Sequence, residues 1–294
     1  MSAAVAAAGA RPARTSGSLP AIVGAELLKL RRRPATWVLL GLWPALQLVF
    51  SLLIPYISYT RGSSYEGSPP EVLLASTLPD RLVGNALSGL PLFGGALLLT
   101  LGALLAGSEY GWGTLKSLLA QGPRRTTVLA GQLLALVTVL AATVALSFAL
   151  TAAVSAAIAG AESAPADWPG LAELARGFGG GLLVATTWGA LGVLLGTALR
   201  GTALAIGLGL VWVLAVESLV VNVAAPLLGF FDALQRGLPG VNAGSLVAAL
   251  AGGDVRTPGV VAVVDGGQAA WVLAAFLAAA TALTALLLAR RDLA

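Results

Sequence analysis

The chain has 294 residues, of which 57% are hydrophobic and only 10% charged, far from the roughly 45–50% apolar and ~25% charged residues of soluble domains. Its formal net charge is +4 and it contains neither cysteine nor histidine, which excludes disulfides, thiol nucleophiles, imidazole bases and His/Cys metal sites. With a mean hydropathy of +0.90, it reads as an all-α polytopic membrane protein with lipid, not water, around most of its surface.

Residues 1–20 are rich in Ala, Gly, Ser and Pro, carry Arg11 and Arg14, and lack the apolar core of a cleavable signal peptide. They read as a disordered cytosolic tail ahead of one membrane domain, residues 21–294. In residues 21–37, Ile22, Leu27, Leu28 and Leu30 interleave with Glu26, Lys29, Arg31, Arg32 and Arg33 before Pro34. That pattern fits an interfacial helix in the headgroup plane, and equally a plain basic anchor for the first span.

A membrane helix needs about 20 mostly apolar residues. Six such runs are present, at about 36–58, 85–107, 127–159, 177–199, 202–221 and 269–289. The third exceeds one bilayer crossing, so tilt or an extension beyond the bilayer is expected. Between the second and third runs, residues 108–127 hold Leu115, Leu118 and Leu119 on one helical face and Lys116 on another, with Gly122-Pro123 as a stop. This short amphipathic helix suits docking of a cytosolic partner or rest on the bilayer surface. Glycines crowd the fourth and fifth runs, and Gly192-x-x-x-Gly196 permits close approach of two helix backbones, inside one subunit or across a seam. Glu217 alone among the acids falls within a span; it is a pathway candidate, or it is satisfied by external water or by Arg81 or Arg236. Residues 222–268, with Pro226, two phenylalanines and Pro239-Gly240, predict two short external helices that partly re-enter or lie on the outer leaflet.

Charge orients the bundle. Six spans put both termini on one side, and 12 of the 17 Lys/Arg residues fall on that side: Arg11, Arg14, Lys29, Arg31 to Arg33, Lys116, Arg124, Arg125, Arg200, Arg290 and Arg291. Both termini are therefore expected in the cytosol of a cell-membrane protein. A basic stripe on one membrane face suits anionic lipid and argues against nucleic acid.

The 109–125 stretch resembles the corresponding loop of type-2 ABC transporter permeases, where an acid ends the second span and is followed by Gly-Thr, an apolar turn, Pro and basic residues. The matching positions are Glu109, Gly113, Thr114, Leu118, Leu119, Pro123 and Arg125. The N-terminal basic helix and the Arg290-Arg291-Asp292 ending are similar to the family as well, whereas Gln132 stands where many members have Lys. The resemblance implies that Glu109, Gly113, Thr114, Leu115, Leu118 and Leu119 form a coupling helix docking on a separate cytosolic ATPase. It also implies a second permease protomer, identical or paralogous, and an exporter moving an amphipathic or lipid-like substrate, drug or peptide. ATP and Mg would bind that partner: the one Lys-Ser pair here, Lys116-Ser117, follows Leu115 and makes no phosphate-binding loop. No catalytic, cofactor or metal residue is assigned. An ion-coupled carrier would need more buried ionisable groups than Glu217; a non-transporting scaffold or immunity protein remains the other alternative.

Overall fold

The computed structural model describes residues 18–113, 123–252 and 257–290. Among these the fold is helical throughout: α1 (Leu19–Arg32), α2 (Pro34–Thr60), α3 (Pro70–Thr77), α4 (Pro79–Gly111), α5 (Arg125–Ala161), α6 (Leu171–Leu199), α7 (Thr202–Leu227), α8 (Gly229–Gln235), α9 (Pro239–Ala251) and α10 (Gly266–Arg290). Six of them, α2, α4, α5, α6, α7 and α10, are long and apolar enough to cross a membrane.

The first helix begins two residues earlier than composition suggests, with Leu19 and Pro20 drawn from the presumed tail. Proline is tolerated there because the first backbone N–H groups of a helix lack intrahelical partners. The helix stops at Arg32 and the next begins with Pro34 at its first position. The fifth span runs on to Leu227, through residues that the sequence assigns to the external segment.

The core is built around α4 and α6. Glycines let their backbones meet: a Cβ on Gly192 would collide with the Leu99 carbonyl, one on Gly102 with the Gly189 carbonyl, and one on Gly196 would stand 2.8 Å from the Gly107 nitrogen. Leu98, Leu99, Leu101, Val184, Ala185, Trp188 and Val193 fill the remaining space. The outer spans turn Trp37, Val38, Phe50, Leu134, Leu146, Leu204 and Trp271 outward, as expected of helices that face hydrocarbon on one side.

Three of the four π turns among the described residues accompany proline. Val49–Leu53 precedes Pro55 and Val220–Ala224 precedes Pro226, where a wider turn relieves the clash of the ring with the carbonyl four residues back, whereas Pro91 of Leu90–Gly94 sits in the first turn after the break, where proline is tolerated. At Leu87 to Gly89 the second span breaks, with Gly89 at φ +67°. Neighbouring spans satisfy the freed carbonyls: the Trp43 indole donates to Ser88 at 3.1 Å and the Ser147 hydroxyl to Ala86 at 2.7 Å. Gln47 bonds Ser51 and Thr151 in the same layer. Irregular backbone persists at membrane depth only under such cover.

At the end opposite α1, the Tyr56 and Tyr59 hydroxyls donate to the Glu162 carboxylate and join α2 to α5. The two short helices that follow α7 differ from each other. Phe230 of α8 is exposed, whereas α9 is sunk into the bundle with Asn242, Ala243, Ser245 and Val247 fully buried. A strap at Val261 to Val264 is pinned to α9 through the Ser245 hydroxyl.

Candidate functional site

The end of the bundle that carries α1 also gathers the ends of α4 and α10 and the start of α5. Ile22, Glu26 and Leu30 lie on one face of α1 and are buried. Ile22 packs with Val128 and against Gly131 of α5, where no side chain intervenes. Glu26, expected among the headgroups, is therefore turned into protein and is 1% exposed, while Arg31 and Arg32 stay exposed.

Lys29 joins this helix to the second span. Its Nζ lies 2.6 Å from Glu26 Oε1, one turn back, and 2.6 Å from Glu109 Oε1, eighty positions along the chain. Both carboxylates are almost wholly buried, whereas the Lys29 side chain is 34% exposed. Burial pushes the Glu26 carboxyl above its ordinary value, the nearby Glu109 adds to the shift, and Lys29 opposes it. Among the described residues Glu26 Oε2 has no hydrogen-bond partner.

Glu109 closes the last turn of α4, and the chain leaves that helix through Trp112 and Gly113. Gly113 is left-handed at φ +65° and donates to the Tyr110 carbonyl, half of the Schellman arrangement that ends helices on glycine. The Arg33 guanidinium sits 4.7 Å above the Trp112 ring and donates to the Leu104 carbonyl. Thus Lys29 and Arg33, four residues apart on the entry to the first span, both grip the end of the second. Thr114, Leu115, Leu118 and Leu119 lie outside the described residues.

Beyond that stretch, Arg125 opens α5 and donates to the Leu288 carbonyl at 2.6 Å. A guanidinium at the end of α10 offsets the partial negative charge of that helix terminus. Glu109, Tyr110, Arg125, Gln132 and Thr197 surround a cavity of ≈ 10 Å³, room for about one water. The amide of Gln132 thus occupies the polar heart of this end without bringing a charge.

At the opposite end Glu217 is 5% exposed. Neither arginine offered by the sequence pairs with it: Arg81 engages Asp80 and Arg236 engages Asp232. Its partners are neutral. Trp212, five positions earlier across the π turn Val211–Val216, donates its indole N–H at 2.8 Å, and the carboxylate lies against Gly240 at the start of α9, where an added Cβ would collide with it. The wide turn brings positions i and i+5 onto one line, so the hydrogen bond follows from the irregularity.

Sequence reasoning missed the Lys29–Glu109 pair. The available signal was physical: an acid at the end of an apolar run requires a cation nearby, and Lys29 stands on the adjacent segment at the same depth. It also missed the Trp43 and Ser147 contacts on the broken span, which Gly89 and Pro91 announce.

Six membrane-length helices packed through small residues and sealed at one end by basic and acidic side chains define a multi-pass helical membrane protein. The family model described as ABC-2 family transporter protein matches residues 22–216, from α1 to the middle of α7. The chain belongs to that family and is a permease subunit of an ABC transporter. No curated protein matches it.

Proposed function

We propose that this chain is the membrane half of an ATP-driven exporter and that the segment rooted at Glu109 receives the movement of a cytosolic ATPase. The observation that carries this reading is the Lys29 bridge between Glu26 and Glu109. It couples the root of the 109–119 segment to α1 and, through Arg33, to the start of the first span, so a push on that segment moves α1, α2 and α4 together. A linkage of this kind would carry a push from outside the membrane into the bundle, and the family works with a cytosolic ATPase subunit.

In this reading Gly113 lets the chain turn sharply out of the second span, and Thr114, Leu115, Leu118 and Leu119 make the docking face. ATP and Mg bind the ATPase. Arg31 and Arg32 rest among anionic headgroups on the cytosolic side, where both termini lie. A second permease protomer completes the pathway, and the substrate is amphipathic or lipid-like.

The test is purification of the tagged full chain with its co-expressed partners in mild detergent, then ATP hydrolysis in lipid nanodiscs. A soluble ATPase should copurify, and Glu109→Gln should release it or uncouple hydrolysis from transport. A chain that emerges alone from every mild detergent, with no hydrolysis, defeats the proposal.

A further inference from the structure

We infer that the cavity over Glu217 is a binding site for the cationic group of an amphipathic substrate. The inference rests on the transporter reading and narrows its substrate class.

A cavity of ≈ 300 Å³ lies between α4, α7, α9 and the strap after residue 257. That is the size of small organic ligand sites, which run from about 300 Å³ upward. Its walls include Leu92, Val213, Val221 and Val241, with Ser218 and Asn222 as further polar contributors, and Glu217 supplies its carboxylate. Asn222 is exposed, so the cavity reaches the outside of α7 instead of being sealed in the core.

Among the described residues, neutral groups alone hold the carboxyl group. The Trp212 indole N–H donates to one carboxylate oxygen, and the other lies against Gly240 at the start of α9. The indole carries no charge, and among the described residues no Lys or Arg forms an ion pair with Glu217. An ionised carboxylate in a membrane span is unfavourable unless a cation or a polar cavity meets it. The fold keeps it nonetheless and leaves space in front of it. A cap for α9 alone needs no such space, since a side chain filling it would strengthen packing. An anionic ligand would be repelled, and a neutral one would gain nothing from the charge. An amine or onium group on an apolar body matches both carboxylate and walls.

The experiment uses the full chain with its co-expressed partners in phosphatidylcholine nanodiscs and measures equilibrium binding of labelled tetraphenylphosphonium, with empty nanodiscs subtracted. Uncharged triphenylphosphine oxide serves as comparator. The wild type should hold the phosphonium at least about tenfold more tightly than the oxide. Glu217→Gln, which keeps an acceptor for Trp212, should erase that preference. Val221→Trp, which keeps the carboxylate but narrows the cavity, should weaken binding by a similar factor. Equal affinity for the two probes in the wild type overturns the inference, and that comparison needs no variant to fold. So does an unchanged preference in Glu217→Gln. ATP hydrolysis on the same samples separates the two readings: hydrolysis without charge preference sinks the site alone, while charge-selective binding without any ATPase sinks the transporter reading alone.

Discussion

Lys29 Nζ stands 2.6 Å from Glu109 Oε1, across a gap of eighty positions, and the same ammonium lies 2.6 Å from Glu26. Removing one member of a buried ion pair strands the other, which costs about 3–5 kcal/mol when both are fully buried. Lys29 keeps a third of its side chain exposed, so Lys29→Met should cost less, about 2 kcal/mol, with solvent taking part of the load. Thermal unfolding in nanodiscs measures the loss, and hydrogen exchange over residues 19–32 should accelerate. A Lys29→Met/Glu109→Gln double variant should recover part of the loss; strict additivity would mean that the two side chains do not interact.

The seam between α4 and α6 gives a sharper contrast. Gly192→Ala drives a methyl group into the Leu99 carbonyl, and no rotamer can remove a Cβ. Rigid backbone on both sides must separate, so a loss of about 2 kcal/mol or more is expected, within the range of overpacking. Gly207→Ala on α7 meets nothing within 4 Å and should be neutral or stabilising by up to about 1 kcal/mol through helix propensity. Melting midpoints of the two variants in one detergent check the pair.

Much of this architecture was legible from residues alone, and the exceptions share a cause. The six spans follow from uninterrupted apolar length, and the glycine seam from a four-residue spacing that needs no partner sequence to read. Contacts between distant segments were not legible. Glu109 reads as a docking residue from its loop, yet it points inward because the end of α1 lies against it. Arg81 and Arg236 looked available to Glu217, but each has an acid one or four positions earlier, and the local partner wins. The break in the second span was legible in part: Gly89 and Pro91 mark it, while the indole and hydroxyl that make it tolerable come from other helices.

Glu26 carries a pH signature. Burial raises its pKa above the ordinary value of 4.5, so the folded protein holds that proton more tightly than the unfolded chain does. Between 4.5 and the raised value the native state binds more protons, and stability from this group therefore falls as pH rises through that window. Docking of α1 should tighten as the medium is acidified from neutrality toward 4.5, until other carboxylates begin to protonate. Glu26→Gln should flatten the slope. Hydrogen exchange of residues 19–32, corrected for intrinsic rates at each pH, reads it directly; a slope that survives in the variant would assign it to another group.

The broken second span tests whether cover by neighbours is what makes its geometry possible. Trp43 is 1% exposed, and its indole donates to Ser88 just before the left-handed Gly89. Trp43→Phe keeps most of the apolar volume and deletes the donor, leaving that carbonyl without its partner in a region that water does not reach. An unsatisfied buried acceptor costs about 1–3 kcal/mol, and the smaller ring adds a cavity contribution. Ser147→Ala, which removes the donor to Ala86, should cost about 1 kcal/mol, since a serine contributes little packing of its own. The decisive variant is Trp43→Phe combined with Gly89→Ala. If the indole holds the break open, strain at φ +67° and loss of the bond act on one turn, and the combined loss should depart from the sum of the single losses by more than about 0.5 kcal/mol. Simple addition, measured by thermal unfolding in nanodiscs, would mean that Trp43 stabilises the bundle by packing alone and that the break is set by Gly89 and Pro91 without help.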